Sequence, residues 1–280
     1  MKTDEVKKLH PMERFLYWVQ ERESVRLKKE AGEPRPWTDD EILQKYRFCN
    51  VRRMDDRVSR WLLENWYTPH YDHQNMIVAC TLARQLNNIE SLAAVGFPKV
   101  WNPEKVEKIL VSRVDRGLKN FSAAYMITGT LGGTKIEQIV YKVVDPISKK
   151  KRELKGFSTM QGLWRRLLPF AGFSTFIAGQ VVADMRWACI GPWDDRYYWA
   201  PIGPGSRRGM NRLNGLPLKA TIKDRDFDLQ LQEIIALCHS EVSVDITSRM
   251  EAIDYQNCLC EYDKYERTLH GEGKPKRLYR

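Results

Sequence analysis

"LPFAGFSTFIAGQVVADM" occupies residues Leu168–Met185. A Leu-Pro pair, a short gap, Gly172, and then Thr175 and Ala178 entering an apolar run have the form of a helix-hairpin-helix turn. The usual hairpin carries two glycines, which let backbone N–H groups approach a DNA phosphate. Phe170 stands where the first glycine is expected. A plain helix-turn-helix packing unit fits the same letters. Both readings demand two helices here. Asp184 sits on the second one among apolar neighbours, where a carboxylate is either a paired core acid or a general base.

Helical signals continue outward from this stretch. Asn102 as N-cap, Pro103 at the first helical position and Gly117 as a stop bound "NPEKVEKILVSRVDRG". "MERFLYWVQERESVRLKKEAG" places apolar residues between charges and ends at Gly32, followed by the proline-rich link "GEPRPW". Thr38 and Glu41 form a capping-box pattern that opens a long run through "ILQKYRFCNVRRMDDRVSRWLLENWY". "DHQNMIVACTLARQL", "DFDLQLQEIIALCHS" and "TSRMEAIDYQNCLCEYDKYERTLHG" read as further helices, the last closed by Gly271. "KIEQIVYKVVDP" reads as helix or strand, and "SKKKRELKG" as a basic surface loop. The expected fold is mainly α: one compact helical domain over 1–280 with a helix-hairpin-helix element. Its expected form is DNA-glycosylase-like, with lobes at 1–160 and 161–270 sharing a cleft and a mobile basic tail at 271–280.

The 280 residues carry 46 Lys plus Arg against 36 Asp plus Glu, a net charge of +10. That balance suits a polyanion such as DNA or RNA. No apolar run approaches the roughly 20 residues that span a bilayer. The polar start "MKTDEVKKLH" does not read as a signal peptide, and the six scattered cysteines read as reduced thiols of a cytoplasmic protein. Cys258 and Cys260, or His70 and His73, would each make half of a zinc site with no visible second half.

Three polar constellations stand out. In "FCNVRRMDDRVSRW" a helix would put Asn50, Arg53 and Arg57 on one face, with Asp56 beside Arg53; a guanidinium held by a carboxylate suits phosphate. The alternative is a surface helix laced with salt bridges. In "GPWDDRYYWAPIGPGSRRGMNRL", Trp193, Tyr197, Tyr198 and Trp199 offer flat faces for an unstacked base. Gly203 and Gly205 permit close backbone approach, and Arg207 and Arg208 bring charge to a helix start. Packed aromatics and a basic turn are the plainer alternative. Asp254, Asn257, Glu261 and Lys264 follow steps of three, four and three along the last helix, one mixed-sign stripe. Facing a cleft, such a stripe assembles proton chemistry.

Four segments in order, "ERESVRLKKEAGEPRPWTDDEILQKYRFCNVRRMDD", "AGFSTFIAGQVVADM", "GPGSRRGMNRL" and "NCLCEYDKY", resemble the phage amino acid:DNA transferases, also called α-glutamyl/putrescinyl thymine pyrophosphorylases. The chain is similar as well to the helical domain of phage 5-hydroxymethyluracil DNA kinases, but it has no P-loop. The resemblance implies thymine hypermodification. An amine from an amino acid or polyamine would displace pyrophosphate from a pyrophosphorylated 5-hydroxymethyluracil in double-stranded phage DNA, in the cytoplasm of the infected host, protecting the genome from restriction. It also implies roles. Arg53, Arg207 and Arg208, with Gly203 and Gly205, would surround the leaving pyrophosphate, with Mg²⁺ as the conceivable helper and no resident metal assigned. Asp184 or Glu261 would be the general base, with Asp56 orienting Arg53. Asn50, Tyr198, Trp199, Asn257 and Lys264 would contact base or donor. Gly172, Ser174 and Thr175 would hold the DNA backbone. Thiolate attack on the ring by Cys49, Cys258 or Cys260 is a further route. A base-excising glycosylase with Asp194 or Asp195 as its acid, and a non-catalytic module that recruits the kinase, are the competing readings.

Overall fold

The computed structural model describes residues 1–122, 131–189 and 191–279. The last residue of the basic tail, Arg280, lies outside them. Among the described residues the fold is helical, without a strand, and an isolated antiparallel bridge joins Tyr46 to Leu278. The helices of at least eight residues are α1 Pro11–Glu30, α2 Met76–Leu86, α3 Pro103–Asp115, α4 Met160–Leu167, α5 Thr175–Ala188, α6 Pro204–Leu213, α7 Asp224–Glu241 and α8 Ala252–Leu269. "KIEQIVYKVVDP" resolves as helix: a short α turn at Lys135–Glu137 runs into a π-helix at Gln138–Val144. The expected basic loop after it is helical too, and Leu154 anchors it in the core.

The chain forms two compact units, Met1–Asp56 with Arg196–Arg280, and Arg57–Asp195. These bounds differ from the lobes expected at 1–160 and 161–270. The first unit joins both ends of the chain through contacts more than 200 residues apart, which local sequence patterns do not reveal. Arg14 grips Glu266 through two hydrogen bonds of 2.9 and 3.0 Å, and Tyr265 donates to Asp40 at 2.6 Å. The tail is docked rather than loose: the Arg47 N–H donates to the Arg277 carbonyl at 3.0 Å, and the Tyr279 ring meets Trp37 edge-on.

Helix α8 is the spine of this first unit. It is buried on nearly every side although it carries four acids. Burying a carboxylate is costly unless it is paired, and each of the four has partners. Asp254 accepts from the backbone N–H groups of Arg53 and Glu251. Glu261 accepts from the Cys49 N–H and pairs with Lys264. Asp263 is met by Arg208, Arg212 and Arg267, and Glu266 by Arg14 and His270. Helix α6 packs directly on this spine. A Cβ at Gly209 would sit 2.2 Å from the Leu259 carbonyl oxygen, and one at Gly205 2.2 Å from Cys260 Sγ.

The second unit is built on α2 and α5, both nearly all apolar. Arg84 of α2 forms a bidentate pair with Asp184 of α5 in its core, where Asp184 has no exposed surface. Helices α4 and α5 follow one another across a short turn, with Ser174 capping α5 by accepting from the Ile177 N–H at 3.2 Å. Gly172 has φ +79°, and a Cβ there would lie 2.4 Å from Val143 Cγ2. Only glycine satisfies both the left-handed backbone and that approach.

Candidate functional site

The run "YRFCNVRR" is not helical. Helix formation from Glu41 is capped by Asp40, whose side chain accepts from Ile42 and Leu43, and it stops at Lys45. Thr38 instead accepts from the Asp40 N–H at 3.1 Å, so the N-cap lies two residues beyond the expected one and, with Leu43 at N3, the reciprocal capping box does not form. Beyond it the backbone polar groups find other partners. Arg22 of α1 donates to the carbonyls of Cys49 (3.1 Å) and Phe48 (3.2 Å) and to Asn50 Oδ1. A buried guanidinium needs several acceptors, and an extended, irregular segment supplies carbonyls that a helix would keep for itself. Asn50, Arg53 and Arg57 therefore do not share a helical face.

The same extended segment brings the first constellation onto the α8 stripe. The Cys49 N–H donates to Glu261 Oε2 at 3.1 Å, the Arg53 N–H to Asp254 Oδ1 at 2.8 Å, and Asn257 Nδ2 reaches the Asn50 carbonyl at 3.5 Å. Asn50 closes the local turn: its N–H donates to Asp56 Oδ1 at 3.0 Å and its amide to the Asp55 carbonyl at 2.7 Å. With Oδ1 also engaged by Arg22, Asn50 acts as an organiser of the loop. Arg22 itself has no signature in the sequence that marks it out from the other arginines of α1.

The electrostatics of this corner are unusual. Burial raises Asp56 to about 6, helped by the nearby Glu261 charge and opposed by the Asn50 N–H, Arg22 and Arg53. Burial likewise raises Asp254 to about 7. Lys264 is raised despite desolvation, because the Glu261 carboxylate holds its proton. Asp56, Asn257 and Lys264 are half-buried, within reach of solvent at the edge of the packed spine. Burial also pushes the thiols up, Cys49 and Cys258 well above the usual value and Cys260 to about 11. Neutral thiols are poor nucleophiles, so the thiolate route has no support here. Cys258 donates to the Val51 carbonyl instead.

The glycine-arginine stretch is the first turns of α6, with Gly203 as its extended N-cap and Pro204 in the first turn. Gly205 lies bare against Cys260, so the helix spine itself occupies the space that glycine opens. Arg208 is held by Asp263 at 2.8 Å. Arg207 is half-buried, and its Nε is buried without a hydrogen-bond partner. Trp199 is buried, while Tyr198 is exposed.

The remaining expected residues belong to the second unit. Asp184 is committed to Arg84, and Gly172 to the contact with Val143. Thr175 contributes its carbonyl to the Trp164 indole N–H at 3.0 Å. Asp195 caps α4, accepting from the N–H groups of Met160 (2.6 Å) and Gln161 (2.8 Å), which commits one of the two acids named for a glycosylase. This unit also holds a cavity of about 420 Å³, walled by Trp193, Phe157, Leu163 and Met185. No sequence signal announced it, because its lining comes from five separate stretches. Among the described residues no group of three or more His, Cys, Asp or Glu side chains is placed to hold a metal ion. No helix among those residues is long and apolar enough to cross a membrane.

An all-helical, basic protein whose buried acids gather on one spine helix next to a half-buried acid–base corner is the class that the fold and site define. The chain belongs to the family of the helical domain of 5-hmdU DNA kinase, whose family model matches residues 10–275. No curated protein and no solved structure matches it. The family places the chain in the context of thymine modification in DNA.

Proposed function

We propose that the chain is a transferase acting on DNA that carries pyrophosphorylated 5-hydroxymethyluracil, replacing the pyrophosphate with an amine from an amino acid or polyamine. The observation that carries this reading is the corner made by Asp56, Glu261 and Lys264, in a family tied to the modified base. An incoming ammonium must give up a proton before its nitrogen can attack. A carboxylate held near 6 by burial is ionised at neutral pH yet basic enough to take that proton. Asp56 is therefore the general base in this account, rather than Asp184 or Glu261. Glu261 keeps Lys264 charged, and Lys264 is suited to a donor carboxylate or a phosphate. The amine nitrogen forms a bond to the exocyclic methylene carbon. The bond from that carbon to the pyrophosphate oxygen breaks, and the product carries a secondary ammonium. Arg207, with its unsatisfied Nε, and Arg208 are the cations assigned to the leaving group.

The test is duplex DNA containing the pyrophosphorylated base, incubated with the chain and a mixture of amino acids and polyamines, then digested to nucleosides and weighed. A nucleoside heavier by an amine, with pyrophosphate released, supports the transferase. A second reading is favoured by the family match being to a domain of a kinase: a non-catalytic module that brings the kinase to DNA. It expects unchanged nucleosides with intact, salt-dependent DNA binding.

A further inference from the structure

The cavity of the second unit is unused by the chemistry above, and three independent features mark it as built. The first is its size: about 420 Å³ lies in the range of small-molecule sites. The second is backbone strain. Among the described residues, Asp72 (φ 57°), Asn87 (φ 45°) and Trp193 (φ 47°) are the non-glycine residues with left-handed backbone, and two of the three line this one cavity. Left-handed backbone at non-glycine residues is strained, and such strain clusters where a ligand is clamped. It is locked in place here. The Asp72 N–H donates to the Ala188 carbonyl at 3.0 Å, and the Trp193 indole lies on Gly191, where a Cβ would come within 2.9 Å of the ring.

The third feature is the chemistry of the lining. Trp193 and Phe157 supply aromatic surface, and Met185 and Leu163 an aliphatic floor. Its exposed edge carries Lys155, Asp72, Gln74 and Ser158, with His73 half-buried beside them. His73 is held below its usual value by desolvation and by the charges of His70, Lys151, Lys99 and Lys155. A flat apolar interior with one exposed lysine, a neutral imidazole, and amide and hydroxyl groups at its edge matches a nucleobase inside and its phosphate at Lys155.

We infer that this cavity binds a pyrimidine nucleotide, its base against Trp193 and Phe157 and its phosphate at Lys155. The choice of a pyrimidine rests on the reading that the chain handles modified-uracil DNA. The nucleotide could be free or extruded from a duplex, as enzymes that work on bases require.

Calorimetric titration of the full chain with thymidine 5′-monophosphate tests it, alongside thymidine, inorganic phosphate and 2′-deoxyadenosine 5′-monophosphate. The expected order is tightest binding for the thymidine monophosphate, weaker for thymidine and weakest for phosphate. Lys155→Ala should weaken the monophosphate about tenfold, one charge-assisted contact, and leave thymidine unchanged. Ser158→Trp, at an exposed rim position, should block both while circular dichroism and thermal unfolding confirm the fold. Absence of thymidine monophosphate binding at millimolar concentration, equal binding of the deoxyadenosine compound, or indifference to both variants would overturn the assignment. Competition by a duplex containing 5-hydroxymethyluracil identifies an extruded residue as the source, and lack of competition identifies free nucleotide. If the nucleoside assay yields no amine adduct while these titrations succeed, the transferase reading fails and the pocket stands.

Discussion

Gly205 and Gly209 flank the Arg207–Arg208 pair on α6. Their neighbours differ. A Cβ at Gly209 meets the backbone of Leu259, which cannot move aside, whereas one at Gly205 meets the Cys260 thiol. Gly209→Ala should therefore destabilise by about 3 kcal/mol, at the upper end for overpacking, and Leu259→Ala should not rescue it. Gly205→Ala should also destabilise, and Cys260→Ala should recover most of the loss. Chemical denaturation of the single and double variants measures both couplings. At Asp56 the relevant readout is rate. The transfer rate should rise with pH through about 6 and then level, as the raised carboxyl ionises. Asp56→Asn should abolish transfer, remove that pH dependence, and leave duplex affinity within about twofold, since no phosphate contact is lost.

At the level of elements, the Arg84–Asp184 pair ties α2 to α5 inside an apolar core. Asp184→Ala would leave a buried guanidinium without its carboxylate and should cost about 3–5 kcal/mol. Any loss of activity in that variant should track its loss of folded protein in a thermal melt. The individual helices were legible because their punctuation is local: Asn102 and Pro103 open α3 and Gly117 closes it. The segment from Tyr46 to Arg52 was not legible. Its letters suit a helix, and what overrides them is Arg22, some 25 residues earlier, taking the carbonyls of Phe48 and Cys49. The α8 stripe was readable from spacing, but its partners were not. They arrive from both ends of the chain, and nothing in "NCLCEYDKY" states which charges will be satisfied by backbone N–H groups. For the same reason the cavity around Trp193 was invisible, although Trp193 itself stood out as an aromatic.

For the molecule as a whole, two desolvated acids, one on the spine and one in the loop packed against it, set a pH dependence of stability. Asp56 and Asp254 are raised in the fold above an unfolded value near 4. Between those limits the folded state binds more protons than the unfolded one, so the two groups favour the fold at low pH. Their contribution is lost as pH rises from about 4 to about 7. Asp254→Asn should lower stability by removing one acceptor for the Arg53 and Glu251 N–H groups. It should also make the fall in stability between pH 5 and 8 shallower than in the parent, which thermal melts across that range will show.

The central claim is that this helical chain transfers an amine to a pyrophosphorylated base, with Asp56 as the proton acceptor. The most direct measurement is a single-turnover reaction on duplex DNA carrying that base, run with the parent chain and with Asp56→Asn and read as nucleoside masses and released pyrophosphate. The account predicts an amine adduct and stoichiometric pyrophosphate from the parent, and neither from the variant, with both proteins folded and bound to DNA. Unaltered nucleosides from a folded, DNA-bound parent supplied with amino acids and polyamines would contradict it.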